Sequence, residues 1–377
     1  MQRRQLFFVL SIFCTIHASQ LTTPWYYSNI HNNYPDELSF CIVDLKFDGE
    51  KIKICEFGQG LGSTFRGYDA LYGQGQMWSK FWNVLKQVQK TPWFLNTRGI
   101  RKEFAPEVFK EIGGRNVRSL EGIKPSSSAF VLIAGNAKKN RFSCAEFKQR
   151  YPQCLILDEV TKKFVTNKYE TGLLFNDHEL EGYKPRYRIF PKEYSFTVAL
   201  EILHILNSNH IVLKPVNASL GSGIVMVEPQ ELDHALRIIC RKEDGAKDQG
   251  DQTSFAYWAQ DHEKFFIVEE FVASKKIFVD HKPYDPTMRV AFVLCNNAGT
   301  PSINFLDAYW KLPAKSLDDC GSFTELHKSH VEIGKKCSAS VDAGDFEAVK
   351  AQLCLLLPQI YLKMLAKSWD DKQEPIS

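Results

Sequence analysis

The chain lacks an excess of charge of either sign, with 47 lysines and arginines against 44 aspartates and glutamates. Such balance leaves no electrostatic footprint for nucleic-acid binding, and none is expected. No CxxC pair occurs, so zinc has no ligand spacing to use. Neither the P-loop nor the dinucleotide spacing of glycines is present, and no internal repeat is visible. Apolar runs of membrane-spanning length are missing too, since a span needs about 20 residues. What remains is an ordinary globular composition, 44% hydrophobic and 24% charged over 377 residues, enough for two or three packed lobes.

The first residues stand apart. Arg3 and Arg4 precede an apolar run at 6–14, followed by the small residues Ala18 and Ser19. This is the pattern of a secretory leader, and a mature protein starting near Ser19 or Gln20 is expected. Cys14 would leave with it, and the remaining cysteines are Cys41, Cys55, Cys144, Cys154, Cys240, Cys295, Cys320, Cys337 and Cys354. Their number is odd and several sit inside apolar strands, so mostly free, buried thiols are expected.

Along the chain, apolar runs at 40–47 and 51–57 flank Asp48 and Gly49, which predicts a hairpin. A glycine-rich loop at 58–75 and an amphipathic helix at 77–88 follow. Between 91 and 168, short apolar runs at 130–134 and 154–157 alternate with a helix-compatible stretch at 143–150, predicting a small open α/β lobe with parallel strands. Beyond it the pattern predicts a helix at 195–206, strands at 211–214 and 223–227, a helix at 230–240, an exposed loop at 242–253, strands at 265–272, 288–294 and 303–309, and a long helix at 346–369.

The most informative segment runs from His210 to Val227, HIVLKPVNASLGSGIVMV: strand, lysine, glycine-rich turn, strand. A lysine at a strand end offers a point charge to phosphate oxygens, and glycines let backbone N–H groups approach the same oxygens. Lys214, Asn217, Ser219, Gly221, Ser222 and Gly223 are therefore the candidate phosphate cradle. Further on, the apolar strand at 265–272 carries Glu269 and Glu270, which must point to opposite faces. One faces a pocket and the other solvent, and a strand of this kind, ending at Val272, can line an adenine.

Together these segments resemble the ATP-grasp superfamily, in which a lysine-bearing hairpin closes over ATP and a glutamate-containing hinge strand holds the base. The resemblance implies two α+β lobes sandwiching ATP. It implies that Arg289, in YDPTMRVAFVL, steadies a phosphoryl or acyl-phosphate group. Lys311, in YWKLP, is similar to a basic residue of the tubulin tyrosine ligase-like branch, and there is some likeness to glutathionylspermidine synthase-like enzymes. The family's magnesium is held by an aspartate and a Glu-x-Asn on a closing strand pair, which here resembles CIVDLKFDGEKIKICEFGQ, with Asp44 and Glu56 as metal ligands. Because this pair precedes the rest of the core, a circularly permuted ATP-grasp fold is expected. Residues 1–19 would be the leader, 20–90 the metal-binding strand pair and helix, 91–168 the small lobe and 169–377 the nucleotide-binding core. Gly58 stands where the family has asparagine, so Gln59 substitutes, a ligand is lost or the metal site is degenerate.

By that resemblance the reaction is magnesium- and ATP-dependent joining of a carboxylate, on a small molecule, peptide or protein, to an amine or thiol through an acyl-phosphate. The alternatives are a non-catalytic nucleotide-binding protein on the same fold and a phosphotransferase. Export conflicts with ATP use unless the protein is delivered to a nucleotide-containing compartment such as another cell's cytosol; without a true leader it would be cytoplasmic. Arg66 is a further candidate contact in the glycine-rich loop. Ser322, His327 and Ser329 cluster in sequence, but spacing places no partner acid beside them, which argues against a hydrolytic triad.

Overall fold

The computed structural model describes residues 25–26, 33–59, 61–95, 106–111, 113–117, 123, 130–134, 144–218, 221–241, 252–329 and 337–373. The leader expected at 1–19, Ser219 and most of the loop expected at 242–253 lie outside them. The mixed α/β class expected from the sequence is the class observed.

The largest sheet is antiparallel and runs in the order Trp25–Tyr26, Thr300–Lys311, Thr287–Asn297, Glu37–Phe47, Ile52–Gly58, with Ser338–Ser340 pairing onto Thr300–Lys311. Its inner strands are apolar almost throughout because both faces are covered. Alternation sorts the side chains. Cys41, Val43, Leu45 and Phe47, with Val290 and Phe292, face the long helix Ala343–Gln373. Leu38, Phe40 and Ile42, with Ala291 and Val293, face the helices Leu61–Tyr72 and Gln76–Gln87. Continued along the same face, the period reaches Asp44, Lys46, Thr287, Arg289 and Lys311, which line an open cleft instead. One face of one sheet is thus half core and half site.

A second antiparallel sheet, ordered Val225–Val227, Ile211–Pro215, Phe265–Glu270, Tyr187–Pro191, lies across the cleft. Ile211, Leu213, Phe266 and Val268 pack under the helices Phe196–Leu206, Leu232–Arg241 and Gln252–Gln260, while Val212, Lys214, Met226 and Glu269 take the opposite face and form the cleft roof. The third sheet, Arg115–Val117, Thr91–Leu95, Phe130–Ala134 and Leu155–Ile156, is parallel, with Cys144–Arg150 as its helix.

Three expectations are corrected. The stretch expected as a glycine-rich loop contains the helix Leu61–Tyr72; its Gly67 leaves room for Tyr309, whose Oη would lie 2.4 Å from a Cβ there. The helix Gln252–Gln260 begins inside the expected 242–253 loop. One helix, Ala343–Trp369, is long and apolar enough to cross a membrane at a mean hydropathy of 1.2, but Val349, Leu353, Leu357, Ile360 and Met364 are buried against the central sheet, as in a core helix. All nine described cysteines are free, with Cys41, Cys154, Cys295 and Cys354 buried and Cys144 and Cys320 exposed.

A buried polar chain ties the long helix to the cleft. Tyr361 Oη donates to Glu37 Oε2 at 2.5 Å, and Ser39 Oγ donates to Glu37 Oε1. Thr161 Oγ1 donates to Ser39 Oγ at 2.8 Å, and Gln59 Nε2 donates to Thr161 at 2.9 Å. Burial pushes the Glu37 carboxyl up from 4.5 to about 7. Between these values the folded protein keeps a proton that the unfolded chain has lost. This stabilisation is present below pH 4.5 and disappears as pH rises through 7. Relative to Glu37→Gln, the wild type should lose about 2–3 kcal/mol of stability between pH 5 and pH 8, read by urea unfolding.

Candidate functional site

The cleft floor is built around Asp44, buried at 4% exposure. Register places Arg289 directly across from it. Arg289 donates from Nε to Asp44 Oδ1 and from Nη2 to Oδ2, both at 2.7 Å, and Lys311 Nζ donates to Oδ2 at 2.9 Å. Burial would raise the Asp44 carboxyl, but the charges of Arg289 and Lys311 outweigh it and hold it well below the usual carboxylate range. Burial and the neighbouring Arg289 charge lower the Lys311 ammonium. Glu56, the register partner of Asp44 on the next strand, is half-exposed with Lys168 Nζ at 3.4 Å.

In the roof, Glu269 Oε2 accepts from Lys214 Nζ, and Oε1 accepts from Lys184 Nζ at 2.9 Å. Burial opposes the charge on Glu269, yet the two lysines together hold its carboxyl below the ordinary value. Glu269 is therefore the inward-facing member of the pair. Glu270 takes Arg186, accepting from its backbone N at 2.8 Å and its Nε at 2.7 Å. Val212, Ile224, Met226, Phe271 and Val272 make the remaining roof and hinge end apolar.

The expected phosphate turn is only partly gathered here. Gly221, at φ +70°, lines the cleft. Asn217 is exposed and donates from Nδ2 to Glu263 Oε1 at 2.5 Å, and Ser222 is not among the lining residues. Gly223 has a structural reason: at φ +71°, its Cβ would lie 2.5 Å from Pro215 Cγ and 2.7 Å from Tyr257 Cδ1. Arg66 is exposed on its helix and does not line the cleft.

Several lining or buttressing residues were not foreseen. Lys46 Nζ pairs with Asp285 Oδ2 at 3.0 Å, and alternation from Asp44 could have placed it on this face. Lys168, Lys184 and Lys328 come from segments without periodic signal. Lys328 Nζ donates to Ser254 Oγ at 2.7 Å. The partner acid missing from the sequence reading is Asp285, whose Oδ2 lies 2.7 Å from His327 Nδ1.

Magnesium requires oxygen ligands and is commonly held through one or two carboxylates together with substrate phosphates. Glu56 and Asp44, side by side at the cleft, supply that donor type. Both Asp44 oxygens are already engaged by Arg289 and Lys311, so Glu56 is the less committed of the two carboxylates. Gly58 sits tight against Ile42, with a Cβ at 3.2 Å from Cγ1, so an asparagine there would be crowded, and Gln59 is engaged by Thr161. Around the cleft, Lys46, Lys168, Lys184, Lys214, Arg289, Lys311 and Lys328 outnumber Asp44, Glu56, Glu269, Glu270 and Asp285. That surplus suits a polyanion, and the apolar hinge end suits a flat ring.

No family model and no curated protein matches the chain. Among solved structures, a protein assigned as a gamma-glutamylcysteine synthetase from Methylobacillus flagellatus is similar at TM-score 0.48 and 10% identity, over 91% of this chain and 99% of that one. D-alanyl-alanine synthetase A from Vibrio cholerae follows at TM-score 0.34 and 9% identity, over 73% and 81%. D-alanine-D-alanine ligase from Helicobacter pylori is similar at 0.23 and 14%, over 51% and 66%.

Asp44→Asn should uncover the cations it now neutralises. Binding of inorganic triphosphate without metal, followed by calorimetry, should tighten by roughly tenfold. Stability should fall by about 3–5 kcal/mol as the buried cluster loses its carboxylate.

Proposed function

We propose that the protein is an ATP- and magnesium-dependent ligase that joins a carboxylate to an amine or thiol through an acyl-phosphate. The observation that carries this reading is the convergence of two carboxylate-held cation pairs, the buried Lys184 with Lys214 and the partly exposed Arg289 with Lys311, on one cleft with an apolar far end. In this reading the base lies between Val212, Ile224 and Met226 and the residues Phe271 and Val272 that follow the strand Phe265–Glu270. Lys214 and the Gly221 turn hold phosphates. Arg289 and Lys311 meet the transferred phosphoryl group, where fixed positive charge stabilises charge developing on its oxygens. Glu56 and Asp44 would hold the magnesium, which supplies charge neutralisation across the phosphates.

The support for a permuted ATP-grasp frame, which we include in the proposal together with the boundaries at 90 and 168, is that Glu37–Phe47 pairs with Thr287–Asn297 on one side and with Ile52–Gly58 on the other. The acceptor is a carboxylate-bearing small molecule, peptide or protein. Export by the leader, with delivery into a nucleotide-containing compartment, belongs to the same proposal. A non-catalytic nucleotide-binding role is favoured by one observation: Gly58 offers no side chain two residues after Glu56, and Ile42 crowds that position.

Calorimetry with ATP and magnesium tests the reading on the chain from Gln20 onward. Wild type should bind. Lys214→Ala should lose binding by at least tenfold, and the Asp44→Ala, Glu56→Ala double variant should lose its magnesium dependence. A wild type that binds no nucleotide overturns the proposal.

A further inference from the structure

His327 is held more firmly than a surface histidine needs to be. It closes the helix Phe323–His327, whose start carries a capping box between Ser322 and Glu325. Thr324 Oγ1 accepts from Met226 N at 3.2 Å and lies 3.4 Å from Met226 O, fastening the segment to the roof. The imidazole packs against Phe323, with centroids 4.2 Å apart, and edge-on to Phe271 at 4.9 Å. His210 stacks on the other side of this cluster, 3.7 Å from Phe323.

Asp285 fixes the chemistry of the ring. Its carboxylate is buried at 2% exposure, its Oδ1 accepts from Ser274 N at 2.7 Å, and its Oδ2 is shared by Lys46 and His327. Burial would raise this carboxyl, but the His327 hydrogen bond and the Lys46 charge hold it below its ordinary value, so it is an acceptor. His327 must then donate from Nδ1, which leaves Nε2 with its lone pair in the neutral ring. The ring lines the cleft, and it makes no second hydrogen bond among the described residues.

We propose that His327 reads the sugar of the bound nucleotide, with Nε2 accepting a hydrogen bond from a ribose hydroxyl, so that the cleft prefers ribonucleotides to deoxyribonucleotides. The inference rests on the nucleotide reading above. With the base at Phe271 and Val272 and the phosphates at Lys214, Arg289 and Lys311, the sugar is the part that must pass between. Its hydroxyls are neutral donors, which a lone pair at Nε2 complements. Phosphate oxygens are acceptors and do not. Asp285 acts through the ring as a positioning residue.

The test is calorimetry on the full protein with magnesium and ATP, 2′-deoxyATP or 3′-deoxyATP. One neutral hydrogen bond is worth about tenfold in affinity, so wild type should bind ATP about tenfold more tightly than at least one deoxynucleotide. His327→Phe keeps the aromatic packing and should bind all three within about twofold, while inorganic triphosphate binding stays unchanged. His327→Asn serves if the phenylalanine variant does not fold. Equal wild-type affinity for all three, or discrimination that survives in the variant, overturns the assignment of His327. Failure of wild type to bind any adenine nucleotide would instead remove the nucleotide reading on which it rests.

Discussion

A buried carboxylate gripped by two cations organises this molecule. Asp44 sits where the central sheet passes from core to cleft, and isolating its charge there would cost several kcal/mol. Arg289 and Lys311 remove that cost by meeting both oxygens, and in doing so they are held at the floor without a ligand. Glu269 does the same for Lys184 and Lys214 in the roof. The cations are thereby positioned in advance, so that a polyanion of the proposed kind would not have to order them from solvent.

Strand alternation makes this arrangement possible. Every second residue of Glu37–Phe47 and Thr287–Asn297 points to one face, apolar where the helices Leu61–Tyr72 and Gln76–Gln87 cover it and charged where they stop. Moving either register by one residue would bury the charged set and expose the apolar one. Gly67 supports the same boundary by admitting Tyr309, the register partner of Arg289, against the helix. The chain from Gln59 through Thr161 and Ser39 to Glu37 links the cleft rim to Tyr361 on the long helix.

Much of this was legible in the sequence because it is local. The hairpin around Asp48 and Gly49, the lysine strand ending at Lys214 and Pro215 and the strand bearing Glu269 announce themselves through turn residues and apolar runs. The helix Leu61–Tyr72 was hidden because glycine reads as a breaker, whereas Gly67 answers a tertiary contact. The pairing of Asp285 with His327 spans 42 residues, and that of Asp44 with Arg289 spans 245. No spacing rule foretells such pairs. Within the turn, Gly223 also has a packing reason in Pro215 and Tyr257, which only the tertiary structure reveals.

Under the proposed function, the cations now held by Asp44 and Glu269 are the ones that receive phosphate. A crystal structure with magnesium and a non-hydrolysable ATP analogue tests it most directly. The triphosphate should lie between Lys214 and the Arg289–Lys311 pair, with the base against Phe271 and Val272 and at least one of the Asp44 contacts exchanged for phosphate oxygen. An analogue seated elsewhere, with the contacts of Asp44 and Glu269 unchanged, would contradict it.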